Sequence, residues 1–340
     1  MFVHFTAMIK CNPLRLRSLA LNLSLVCGFA PLVTLSGCIG TPYVPDMRPL
    51  APGSLPAPDI SLDIPGLGPC NDADNRRLSL NSREPVTVLV HGCKASTGQF
   101  RSLAQVYAFH GQQAICFNYD DRASLVAVSD RLIDALDSLT DRMENRRLTV
   151  IGHSMGGLVT RKALEQDRPG AWRRADVELD LLTLSAPFAG IKVAEPCGYT
   201  LTHWLTLGLI PGICRAISGD NWYEITAASP FIRRPGTLLP TVRRYLKVVT
   251  DERGSCRRRD DSGRCLESDF VFSVAEQSQP LVDNAPRVNK VMVEAGHVEI
   301  VGDKNSEPHK LLDLLQREGL LPPTPPQRRA ALDRLLAELY

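Results

Sequence analysis

A chain of 340 residues, 44% of them hydrophobic, has a globular composition and enough length to bury a sizeable core. A formal net charge of +2 is nearly neutral, so no nucleic-acid partner is implied. Ten cysteines without C-x-x-C pairs or a Cys/His cluster point away from a structural metal and toward an oxidising compartment.

Lys10, Arg15 and Arg17 precede an apolar run from Leu19 to Leu35, which closes on Leu35-Ser36-Gly37-Cys38. A basic start, an apolar centre and small residues at the end describe a secretory signal peptide over 1–37. The run is near the lower length limit for spanning a bilayer, and Pro31 interrupts it. The ending resembles the lipobox of bacterial lipoproteins. That resemblance implies cleavage before Cys38 and a lipid on Cys38. Because Ile39 follows rather than aspartate, it also implies the outer membrane of a bacterial cell envelope. Residues 38–69 are proline-rich and aperiodic, and are predicted to be an extended tether.

From 70 to 321 strands and helices alternate. Pro85–Gly92 and Gln113–Asp120 are short β-rich apolar runs. Leu125, Val128, Leu132, Leu136 and Leu139 recur at helical spacing, which predicts a helix over Ser124–Met143. Strands are predicted at Leu148–Ser154, Leu179–Pro187, Arg244–Glu252 and Asn289–His297, with helices at Gly157–Gln166 and Glu307–Gly319. Apolar strands alternating with helices predict an α/β fold: a mostly parallel central sheet covered on both faces. Ligands of such sheets bind beyond the carboxyl ends of the strands. A stretch of about 188–243 is too long for a connection and rich in apolar residues, which predicts a helical lid insertion. Beyond a proline break, 322–340 reads as a C-terminal amphipathic helix that docks on the body.

Gly152-His153-Ser154-Met155-Gly156 fits G-x-S-x-G, with a strand before and a helix after it. On these residues the chain resembles the α/β-hydrolases of the lipase and esterase group, over roughly Glu84 to Gly319. The resemblance implies that Ser154 is a nucleophile, followed in chain order by an acid and then a histidine. His297 stands directly after the last predicted strand, where lipase-like hydrolases place their base. His309 opens a helix and is read as solvated; His203 lies in the insertion and is read as lid or core. For the acid, Asp269 in "ESDFVFSVAEQS" resembles a D-G-x-V-x-x-x-S pattern, with Phe270 in place of glycine. It is preferred over Asp251, which closes "YLKVVTD". The oxyanion hole is expected from the backbone N–H groups of Met155 and Cys93, the latter after the His91-Gly92 turn.

The resulting expectation is a cell-envelope serine esterase or lipase, anchored to the membrane through Cys38. It would cleave acyl or lipid esters through an acyl-enzyme without cofactor or metal. An acyltransferase using the same triad and an inactive envelope interaction module are the alternatives. The oligomeric state is left open.

Overall fold

Val86–Val90 (β4) is buried at all five positions and so belongs at the centre of a sheet. The computed structural model describes residues 44–167, 175–199, 204–206 and 208–340. The expected signal peptide, Cys38 and His203 lie outside the described residues.

Seven strands form one sheet in the order β11-β8-β7-β6-β4-β5-β2. They are β2 (Leu67–Gly68), β4, β5 (Gln113–Phe117), β6 (Arg147–His153), β7 (Glu178–Leu184), β8 (Val242–Asp251) and β11 (Val288–Glu294). All neighbours run parallel except the edge strand β2, which pairs antiparallel to β5. Successive side chains of a strand point to opposite faces, and two cores result. On one face Val86, Val88, Val90, Leu148 and Val150 meet helices α2 (Leu125–Thr140) and α3 (Met155–Ala163). On the other, Leu89, Ile151, Leu182 and Leu246 meet α1 (Arg101–Phe109), the His309–Arg317 helix and the Arg329–Leu339 helix. Leu332 and Leu336 are buried in that second core, so the C-terminal helix docks on the body.

Among the described residues, the insertion between β7 and β8 contains short helical turns and the Leu209–Ser218 helix. Cys197–Cys214 joins two of its segments. Arg122, before α2, donates to the carbonyls of Ala216 and Ile217, both at 3.0 Å. Glu224 accepts from the hydroxyl of Ser124 at 2.8 Å and from the N–H of Leu125, placing a carboxylate on the positive end of α2. The insertion is therefore fastened beside the carboxyl end of β5. A second disulfide, Cys256–Cys265, closes the hairpin of β9 (Cys256–Arg259) and β10 (Cys265–Ser268).

The proline-rich segment departs from its expected role as a free tether. From residue 46 onward it is strapped to the body. The N–H of Asp46 meets the carboxylate of Asp72 at 2.7 Å, and Ala51 and Gln105 exchange two hydrogen bonds at 2.8 and 3.0 Å. The N–H of Ser54 reaches the carbonyl of Ala108 at 2.8 Å. Further along, β1 (Ile60–Leu62) pairs with β3 (Leu78–Leu80), and β2 extends the main sheet. An extended chain without internal hydrogen bonds is stable here because its backbone groups find partners on the domain.

Candidate active site

The sharp turn at Ser154, the elbow between β6 and α3, follows from steric demands. β6 ends at His153 and α3 starts at Met155, which leaves a single residue to reverse the chain. Ser154 does so at φ 56° and ψ −126°, a conformation that costs a non-glycine residue on the order of 1–3 kcal/mol. The turn also brings α3 against β4: a Cβ on Gly156 would run into the carbonyl oxygens of Val90 and His91. Ser154 is held by its N–H to the carbonyl of Leu184 at 2.8 Å.

His297 follows β11 and is 5% exposed. Its Nδ1 lies 2.9 Å from Oε1 of Glu252. A carboxylate only accepts, so Nδ1 carries the hydrogen and Nε2 keeps its lone pair. Glu252 is fully held. Thr250 donates its hydroxyl to Oε1 at 2.9 Å, and Oε2 accepts the N–H groups of Val271 and Phe272 at 2.6 and 2.8 Å. Gln277 exchanges hydrogen bonds of 2.8 Å with the backbone of Thr250, and Ser185 lies 2.7 Å from the Thr250 hydroxyl.

His153 ties the two halves together. Its Nε2–H donates to the carbonyl of His297 at 2.9 Å, with ring centroids 4.8 Å apart. Burial, and then the proximity of His297, push the His153 pKa down to about 3, so it stays neutral. The residue before the serine thus fixes the backbone of the histidine.

The structure corrects the assignment of the acid. Asp269 is buried, but its carboxylate accepts the N–H of Val298 at 3.0 Å and of Glu299 at 2.9 Å, while its carbonyl accepts the N–H of His297. It latches the loop that carries His297 rather than orienting the ring. Burial raises its carboxyl pKa above the ordinary value. Asp251 is turned outward and paired with Arg253, because alternation along the strand end sends residues 251 and 252 to opposite sides. Glu252 was missed beside the neighbour that was considered, because the strand before it is buried on both faces and does not show which of the two turns inward. Phe270 is 42% exposed, so its bulk does not enter the site. His309 is exposed and pairs with Glu307, as its reading as solvated expects.

Met155 is the first residue of α3, so its N–H has no intrahelical acceptor. Gly92 lies against the serine: a Cβ on it would stand 2.8 Å from Cβ and 3.3 Å from Oγ of Ser154. The amide of Cys93, next in the chain, is therefore beside the nucleophile. Among the described residues no group of three or more His, Cys, Asp or Glu is placed to hold a metal ion.

Residues 81–214 match a family described as "Putative serine esterase (DUF676)". No curated protein matches the sequence. Among solved structures, the mature lipase BlEst2 of Bacillus licheniformis is similar at 16% identity, over 77% of this chain and 98% of that one, with a TM-score of 0.46. A lipase-esterase related protein from Clostridium acetobutylicum ATCC 824 is similar at 15% identity, over 70% and 96%, with a TM-score of 0.40. With its parallel sheet, helices on both faces and a serine at the turn from β6 into α3, the chain has the α/β-hydrolase fold.

Proposed function

We propose that the protein is a serine hydrolase that cleaves carboxylic esters of acyl or lipid type through an acyl-enzyme. The observation that carries this reading is the buried Glu252–His297 pair, joined through His153 to a serine in a strained turn. Such a set is costly to keep without chemistry to perform. Ser154 Oγ attacks the ester carbonyl as His297 Nε2 takes its proton, and Glu252 stabilises the imidazolium. The N–H groups of Met155 and Cys93 bind the oxyanion. The tetrahedral intermediate then expels the alcohol, which leaves with the proton from His297. Water, deprotonated by the same histidine, adds to the acyl-enzyme and releases the acid.

An apolar acyl portion is supported by the insertion, where Leu209, Ile213 and Ile217 recur every fourth residue and stand 66%, 49% and 45% exposed. The "LSGC" ending supports a lipid on Cys38 and a place in the cell envelope, at the outer membrane. The deciding experiment labels the full chain with a fluorophosphonate, maps the adduct by mass spectrometry, and measures turnover on esters of short to long chain. Labelling at Ser154 with ester turnover is expected, and both should vanish in Ser154→Ala. A folded wild type that neither labels nor turns over any ester would refute the reading.

A further inference from the structure

One buried group near the nucleophile has no part in the proton path. His91 is 1% exposed, and its ring stacks on Tyr119 with centroids 4.3 Å apart and planes at 14°. The Tyr119 hydroxyl donates to the carbonyl of His91 at 2.6 Å, so ring and backbone are both fixed. Nδ1 of His91 lies 2.9 Å from the carbonyl oxygen of Gly92. A carbonyl accepts, so Nδ1 carries the hydrogen. Nε2 is then a bare acceptor, and it has no hydrogen-bond partner among the described residues. A phenylalanine would stack on Tyr119 equally well without stranding a buried ring nitrogen. What histidine adds at this position is the bond to Gly92.

That bond acts on one peptide plane. No peptide of the described chain is cis, so the Gly92 C=O and the Cys93 N–H point in opposite directions. Drawing the carbonyl to the His91 ring turns the Cys93 N–H away from it. Gly92 is the residue packed on Ser154. We infer that His91 is a positioning residue for the oxyanion hole: its Nδ1–H holds the Gly92–Cys93 peptide so that the Cys93 N–H faces the developing oxyanion. The inference rests on the esterase reading and deepens it. Without His91 that bond no longer opposes a carbonyl-inward state, in which an oxygen faces the negative charge.

The test compares wild type, His91→Phe and His91→Asn in the full chain, with p-nitrophenyl butyrate as substrate and 15N spectroscopy of the histidine rings. Losing one oxyanion donor costs roughly a hundred- to thousandfold in kcat. A donor that is misoriented part of the time should cost less, about ten- to a hundredfold, with KM within about twofold. The amide nitrogen of asparagine falls near the place of Nδ1, so His91→Asn should recover most of the loss. In wild type, Nδ1 of His91 should be protonated and Nε2 not. Unchanged kcat in a folded His91→Phe, no recovery in His91→Asn, or an unprotonated Nδ1 would each overturn the inference. If the phenylalanine variant does not fold, the asparagine variant and the tautomer decide. A wild type inactive on every ester and unlabelled at Ser154 would instead remove the esterase reading, while the tautomer would still report whether the ring holds Gly92.

Discussion

Oε1 of Glu252 meets Nδ1 of His297 at 2.9 Å, while Oε2 of the same carboxylate accepts two backbone N–H groups. Both oxygens are thus committed as acceptors. Glu252→Gln must keep its single oxygen toward Val271 and Phe272, which turns its NH2 toward His297. Nδ1 then has to accept, the hydrogen moves to Nε2, and the ring can no longer take a proton from Ser154. A fall in kcat/KM of about a thousand- to ten-thousandfold is expected, the size seen when the carboxylate of a Ser-His-Asp triad becomes an amide. Steady-state kinetics on a variant of unchanged circular dichroism checks it.

Asp269→Asn should behave differently. The latch on Val298 and Glu299 loses its charge and one acceptor, but the ring keeps Glu252. We expect a loss of stability of about 1–3 kcal/mol, with kcat/KM reduced by no more than about tenfold. Denaturant midpoints and kinetics measured together separate the two carboxylates. A collapse of activity with unchanged stability would return the triad role to Asp269.

The strain at Ser154 predicts an asymmetry between two inactive variants. Glycine reaches φ 56° and ψ −126° freely, whereas alanine does not. Ser154→Gly should therefore be more stable than Ser154→Ala by about 1 kcal/mol. Thermal unfolding of the pair reads this directly, and equal melting temperatures would mean that the turn carries no such cost.

His153 sets an acid limit. Its folded-state pKa is lowered from an ordinary 6.5 to about 3, so between these values the unfolded chain binds the extra proton. The stability it contributes is complete above about pH 6.5 and is lost progressively as pH falls toward 3, with a slope of at most about 1.4 kcal/mol per pH unit. His153→Gln keeps a donor for the His297 carbonyl and does not titrate. Denaturant midpoints at pH 7, 5 and 4 should fall more steeply for wild type than for the variant. Parallel curves would show that this histidine does not govern the acid response.

The membrane reading has its own test. If the reading holds, the full chain incorporates radiolabelled palmitate and sediments with membranes, and Cys38→Ser should abolish both. Unchanged incorporation would refute lipidation at Cys38.

Local patterns made much of the fold legible. The apolar runs of β4 and β6 and the helical spacing of Leu125 to Leu139 mark elements buried by short-range regularity. The elbow was readable because one residue between strand and helix leaves little freedom. The acid was not, because β8 is buried on both faces from Tyr245 to Thr250 and so shows no alternation from which to tell which of Asp251 and Glu252 turns inward. The choice depends on N–H groups at Val271 and Phe272, which the chain supplies only after the β9–β10 hairpin. The segment around Asp269, read as supplying the acid, instead holds Glu252 through the N–H groups of Val271 and Phe272 and the histidine loop through the Asp269 carboxylate. The strap escaped for a similar reason: proline richness specifies an extended chain, and only the distant Asp72, Gln105 and Ala108 decide whether it is free.

That strap changes the problem of finding substrate. With Cys38 lipidated as proposed, about eight residues separate the anchor from Asp46, a span of no more than roughly 30 Å even when fully extended. Had the whole proline-rich segment been slack, the enzyme could have wandered well away from the bilayer and met molecules in bulk. Held short by such an anchor, it would patrol a thin layer, and the search would become two-dimensional. Esters embedded in the same leaflet are then met at high effective concentration, whereas a soluble ester gains nothing from the anchor.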